Sequence, residues 1–176
     1  MATITSRGEV VDTSGELPGV GEMAPDFSLR RSDLSPVSLA DFAGSRLVLN
    51  IFPSIDTPTC AKSVRQFNER AGAMDNTRVL CVSADLPFAL TRFCGAEGIE
   101  NVETASVYRA PEFGQDYGVY MAEGRLGGLL ARAVVVVDAQ GKVVHRELVP
   151  EIAQEPDYEA VIASLVSRAK NRGTRD

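Results

Sequence analysis

The chain has 176 residues, 44% of them hydrophobic and 24% charged, with 18 Lys and Arg against 24 Asp and Glu for a formal net charge of -6. That length suits one compact domain, read here as spanning residues 1–176, and the composition excludes a disordered, collagenous or coiled-coil chain. The acid excess, with no Lys/Arg stripe, argues against a nucleic-acid or anionic-membrane surface, and no apolar run approaches the roughly 18 to 20 residues that span a bilayer.

Residues 3–15 carry Val10 and Val11 between Gly8 and Ser14-Gly15 and read as a short polar hairpin, within an N-terminal segment 1–20, contributing little to the core. Residues 1–9 lack the apolar centre of a secretory signal, so a cytoplasmic location is expected. Residues 23–30 are extended, since Pro25 keeps the residue before it out of the helical region, and 34–44 read as a turn with a short helical piece. The near-continuous apolar run 46–52 predicts a strand covered on both faces, ended by Pro53. From Cys60 the positions Val64, Phe67, Ala71 and Met74 recur at helical spacing. A second buried strand follows over 78–83, then a helix from Pro87 to about Phe93 with Gly95 placed to stop it. After a loop-rich, glycine-rich region, residues 133–137 form a β-branched strand that turns through Asp138-Ala-Gln-Gly141 into an antiparallel partner over 142–148. Glu155-Pro-Asp-Tyr opens a last helix running to about Arg168, and 170–176 read as a frayed tail. The sum is an α/β domain with a mixed central sheet flanked by helices, in a thioredoxin-like order.

Pro53-Ser-Ile-Asp-Thr-Pro-Thr-Cys60 lies between a buried strand and the helix after it. With Thr57 as N-cap, Pro58 takes the first helical position and Cys60 the third, where unpaired N–H groups and the helix dipole stabilise an anionic sulfur. The same cysteine also continues the apolar stripe of Val64 and Phe67, and core packing is the alternative.

The run Pro-x-x-x-Thr-x-x-Cys, here Pro53, Thr57 and Cys60, resembles the peroxidatic-cysteine signature of the peroxiredoxins. Asn50-Ile-Phe-Pro-Ser-Ile-Asp-Thr57, Ser83-Ala-Asp-Leu-Pro-Phe88, Arg92-Phe-Cys-Gly-Ala-Glu97, Ala131-Arg-Ala-Val-Val-Val136 and Glu155-Pro-Asp-Tyr-Glu159 are similar to its thiol peroxidase subfamily, the atypical two-cysteine, bacterial-type peroxiredoxins. The resemblance covers about residues 20 to 166. It implies a thioredoxin-like fold with an added N-terminal β-hairpin, and reduction of hydrogen peroxide and organic hydroperoxides without metal or organic cofactor. It further implies Cys60 as the peroxidatic nucleophile, Cys94 as the resolving cysteine of an intrachain disulfide, Thr57 and Arg132 as the groups that hold and polarise the peroxide, and Pro53 as a shield of the thiolate. Thioredoxin would be the reductant and the assembly a homodimer.

Cys94 is 34 positions from Cys60, too far for a Cys-x-x-Cys pair, and no such pair occurs, which disfavours a thioredoxin-type oxidoreductase. Cys81 alternates with Leu80 and Val82 in a buried strand and reads as core packing. Three cysteines plus the sole His145 lack the close ligand spacing of zinc sites, and His145, in a charged strand end, reads as solvent-facing rather than as the base of a Cys-His hydrolase. The competing function is a non-catalytic redox sensor or chaperone-like protein that uses the same thiol switch. Thr57 with Arg132 favours the enzyme, because a sensor needs no group to polarise a peroxide.

Overall fold

A computed structural model describes the backbone of residues 1–172 and the side chains of 1–166. In chain order the strands and helices are β1 (Thr3–Ser6), β2 (Glu9–Asp12), β3 (Ser28–Arg30), β4 (Pro36–Ser38), β5 (Arg46–Ile51), α1 (Pro58–Arg70), β6 (Thr77–Ser83), α2 (Pro87–Glu97), β7 (Glu103–Ser106), α3 (Glu112–Asp116), β8 (Ala133–Val137), β9 (Val143–Leu148) and α4 (Tyr158–Arg172). Among the described residues the main sheet has seven strands in the order β4-β3-β7-β6-β5-β8-β9, while β1 and β2 pair separately. The apolar runs 46–52, 78–83 and 133–137 become the three central strands, β6 parallel to β5 and β8 antiparallel to it. This is the mixed sheet of a thioredoxin-like fold. Tail positions 170–172 continue α4, and 173–176 lie outside the described residues.

Because successive strand residues point to opposite faces, the central strands feed two cores. Val48, Val79, Cys81, Val134 and Val136 meet Cys60, Val64 and Phe67 of α1, Leu90 and Phe93 of α2, and Val161 and Leu165 of α4. Leu47, Leu49, Leu80, Val135 and Val137 face the other way, where Phe113, Tyr117 and Phe42 cover them. The three long helices therefore share one face, and the other is closed by α3, a 3-10 turn at Leu39–Phe42 and loops. No helix among the described residues is long and apolar enough to cross a membrane.

Several elements differ from the sequence expectation. Strands β4 and β7 and helix α3 are additions to the sequence expectation, and β3 takes up the end of the extended segment 23–30: each is three to five residues long and mixes in polar residues, so pairing, not local pattern, holds them. Helix α2 passes through Gly95 and ends at Gly98, whose φ of 64° is the left-handed conformation that stops a helix. His145 is half-buried rather than solvent-facing: a bulge between Val136 and Val137 sets it opposite Val136, on the three-helix face.

The N-terminal hairpin is not peripheral. Ile4 is 1% exposed within the larger core. Its strand also forms a short parallel ladder with the loop at 150–152: Thr5 N–H donates to the Pro150 carbonyl at 2.7 Å and Ile152 N–H to the Thr5 carbonyl at 2.9 Å. Replacing Ile4 by Ala is expected to cost about 2 to 4 kcal/mol in denaturant unfolding, as for a fully buried aliphatic side chain, against under about 0.5 kcal/mol for a peripheral hairpin. At Gly118 (φ +69°) an added Cβ would lie 2.3 Å from the Glu16 carbonyl oxygen, so the segment after the hairpin packs directly on this turn.

Candidate active site

Strand β5 is followed by the buried pair Phe52-Pro53, and the chain then loops through Ser54 to Thr57 before α1 begins with Pro58 at its first position. Thr57 has the extended conformation of an N-cap (φ -106°, ψ 147°), but its side chain caps nothing. Its hydroxyl instead donates back to the Ser54 carbonyl at 2.9 Å. The first-turn amides of α1 are thus left without a side-chain acceptor, at the positive end of the helix dipole. Cys60 sits in that turn, fully buried.

Arg132, just before β8, reaches the same point from 72 residues away, its Nη2 donating to Cys60 Sγ at 3.3 Å. It is 2% exposed and so is not a surface charge. Its Nε donates to the Ile152 carbonyl at 2.9 Å, and its own carbonyl accepts from Val149 N–H. Nη1 is buried with no hydrogen-bond partner. A buried guanidinium N–H left unpaired beside a sulfur can donate to an acceptor brought there, since burying it unmatched costs free energy. Loop 149–153 is the support of this arrangement: Ile152 holds Arg132, the Ala153 carbonyl accepts from Thr59 in the first turn of α1, and β1 fastens the loop from behind. Tyr158, near Arg132 at the start of α4, donates to Glu155; burial and that carboxylate push its phenol up, so it stays neutral at ordinary pH.

The other cysteines have different surroundings. Cys94 lies toward the end of α2, half-buried, and is a free thiol like Cys60 and Cys81. Burial pushes it up, partly offset by a hydrogen bond with Thr104 of β7. Cys60 is held by the residue that leads into β8, whereas Cys94 is held by β7, and β6 and β5 lie between those two strands. Cys81 is fully buried, receives an N–H from Asn50 at 3.6 Å and is pushed up to about 12 by burial. His145 pairs opposite Val136, four residues beyond Arg132 and so about 13 Å along the strand, and its buried Nε2 has no hydrogen-bond partner among the described residues, so it makes no bond to Cys60.

Beside the first turn of α1 an open groove of about 630 Å³ is lined by Ile55, Thr57, Ala61, Lys62 and Phe93 among others. Sequence reasoning named Cys60, Thr57, Arg132, Pro53 and Cys94. It did not find the Ile152 carbonyl, which carries no side-chain signal, or the hydrogen-bond cluster around Asp85.

The Redoxin family model matches residues 19–162. The chain is 60% identical over 165 residues to a thiol peroxidase of Mycobacterium tuberculosis, covering 94% of this chain and 99% of that one. A thiol peroxidase of Corynebacterium glutamicum is 54% identical over the same shares. Among solved structures, a peroxiredoxin-like protein from Aquifex aeolicus superposes with a TM-score of 0.89 at 38% identity, covering 95% of this chain and 97% of that one.

Proposed function

Since the chain belongs to the Redoxin family and, within it, to the thiol peroxidases, it is a peroxiredoxin enzyme of antioxidant defence, and we propose that Cys60 is its attacking sulfur and Cys94 its resolving one. The observation that carries the reading is Arg132, with Nη2 on the Cys60 sulfur and Nη1 buried and unpaired beside it. The Cys60 thiolate attacks one oxygen of the hydroperoxide; an S–O bond forms, the O–O bond breaks, and the leaving alkoxide or hydroxide takes a proton to become alcohol or water. Charge builds on the departing oxygen, so donors fixed in advance are worth more than thiol acidity alone. Arg132 and the first-turn amides of α1 supply them, and the Thr57 hydroxyl orients the incoming peroxide. Pro53, buried behind the loop, keeps water from the sulfur.

The resulting sulfenic acid is attacked by Cys94 of the same chain, forming the S–S bond and releasing water. Cys94 and Cys60 are fastened to opposite ends of the β7-β6-β5-β8 run, so this step requires the Cys94 segment of α2 to leave Thr104. Closing a loop of about 35 residues stabilises the oxidised chain by roughly 4 kcal/mol in the chain-entropy model, and unwinding both helix ends offsets much of it. The bond therefore stays reducible, and a dithiol protein of the thioredoxin type reopens it by exchange, ending as the disulfide itself. Ile55, Ala61 and Phe93 in a groove also lined by charged Asp56, Lys62 and Arg65 support organic hydroperoxides alongside hydrogen peroxide. Exposed Leu86 and Phe88 at the start of α2, with Tyr108 at the same end of the sheet, support a homodimer. The net charge of -6 opposes binding to the phosphates of nucleic acid or anionic membranes, and the proposed location is the cytoplasm.

The test is steady-state oxidation of NADPH through thioredoxin reductase and thioredoxin, with hydrogen peroxide and a bulky organic hydroperoxide compared. Catalytic turnover supports the peroxidase; consumption that stops after a single equivalent would mark a thiol sensor instead. After oxidation the wild-type chain should run as a monomer on a non-reducing denaturing gel. Cys94→Ser should accumulate a sulfenic acid that dimedone traps. A wild-type dimer linked through Cys94 would refute same-chain resolution.

A further inference from the structure

The Ser83-Ala-Asp-Leu-Pro-Phe88 segment has no part in the chemistry above, yet its aspartate is the most heavily bonded side chain at this end of the molecule. Asp85 Oδ1 accepts from the Ser54 hydroxyl at 2.7 Å, and Oδ2 accepts from Ile55 N–H at 2.7 Å and from the Ser83 hydroxyl at 2.6 Å. Its backbone carbonyl accepts from the Ser106 hydroxyl at the end of β7. Ser54 and Ile55 belong to the loop before α1, Ser83 ends β6, and Leu86, the next residue, is the N-cap of α2. One carboxylate thus joins the segment that leads to Cys60 with the segment that leads to Cys94.

We infer that Asp85 is a positioning residue for peroxide reduction, acting on Cys60 through Ser54 and Thr57. The path is continuous. The Ser54 hydroxyl donates to Asp85 and accepts from Asp56 N–H; the Ser54 carbonyl accepts both the hydroxyl of Thr57, at 2.9 Å, and its N–H, at 3.2 Å; and Thr57 begins the turn that holds Cys60. Residues 53–57 belong to no ladder or helix, so these bonds hold them together with the burial of Pro53 and Ile55 and the Asp56–Arg92 ion pair. A buried Arg132 holds the other side of the sulfur, and the two sides are useful only in register. A shift of about 1 Å at such a site lowers the rate by about a hundredfold. The alternative is that Asp85 merely adds stability to a loop.

This inference rests on the peroxidase reading, and the experiment separates the two. Fully reduced wild type, Asp85→Ala, Asp85→Asn and Ser54→Ala are each mixed with a single equivalent of hydrogen peroxide. The rate of Cys60 oxidation is followed by quenching and mass spectrometry. In parallel, iodoacetamide labelling is measured at Cys60 and at Cys81, the buried core thiol that reports global opening. Expected in Asp85→Ala is a fall of about tenfold to a hundredfold in peroxide rate with faster alkylation of Cys60 and no labelling of Cys81, because misplaced donors impair peroxide cleavage while the opened loop admits the alkylator. Asn can keep the Ile55 and Ser83 bonds on its oxygen and donate to the Ser54 hydroxyl, so it should stay within about threefold of wild type. Ser54→Ala should fall between the two, and it decides the matter if Asp85→Ala does not fold. Wild-type rates in both Asp85→Ala and Ser54→Ala, or a loss in both accompanied by Cys81 labelling, would overturn the inference. Failure of wild type itself to consume peroxide would overturn the peroxidase reading instead.

Discussion

Cys60→Ser should abolish peroxide consumption in a single turnover, while Cys81→Ser should leave its rate unchanged. The expectation rests on their surroundings. Both sulfurs are fully buried, so exposure does not distinguish them. Cys60 lies in the first turn of α1 with a guanidinium N–H on its sulfur. Cys81 lies in mid-strand with only an amide N–H for company, and burial pushes it from 9.0 up to about 12. At pH 7 that leaves about one Cys81 in 100,000 as thiolate, too few to attack a peroxide. Serine nearly matches cysteine in size, so neither variant should lose the fold. The same shift has a sign that can be checked in stability. The folded chain keeps the Cys81 proton where the unfolded chain loses it, so stability falls as pH rises above 9.0 and levels off past about 12. Cys81→Ser should flatten that slope. Rapid-quench thiol titration measures the first effect and urea unfolding across alkaline pH the second. Full consumption by Cys60→Ser at the wild-type rate would remove Cys60 from the mechanism.

Arg132→Lys should lower the rate of Cys60 oxidation by about a hundredfold, the loss typical of removing a preorganised donor. Arginine does three things here with one plane: Nε is tied to the Ile152 carbonyl, Nη2 touches the sulfur, and Nη1 stays unpaired in the pocket. A lysine ammonium on a flexible stem can meet the carbonyl or the sulfur but not both in fixed geometry, and burial favours its neutral form. The charge is nominally conserved, so a wild-type rate would show that the planar fork is not needed. Thermal unfolding of the same variant separates this from collapse of the site: loop 149–153 keeps its ladder to β1, so the melting temperature should fall by only a few degrees, as for roughly 1 kcal/mol in a domain of this size.

Much of the site's local frame is legible in the residues themselves. The apolar run ending at Pro53, then Thr57-Pro58 and the apolar spacing from Cys60, are enough to place a cysteine in the first turn of a helix after a buried strand, as α1 does. Thr57 marks the N-cap in sequence, yet its hydroxyl serves the Ser54 carbonyl, because hydroxyl partners depend on how the loop is folded back. Of the two glycines near the end of α2, only Gly98 takes the left-handed conformation, and no local feature separates it from Gly95.

The central strands, the helix with Cys60 in its first turn and the hairpin of β1 and β2 are each written in the period and the end residues of a short window. Residue spacing could not determine which side chains meet at the sulfur: Arg132 lies 72 residues from Cys60, and only the family resemblance joined the two. The tertiary structure alone decided that Ile152 anchors Arg132, that Ile4 lies in the core, that Asp85 joins the starts of both cysteine-bearing segments, and that His145 turns inward. Those facts follow from strand order, a bulge and a loop ladder. Such pairings bring together residues distant in the chain, and no window of sequence contains both partners.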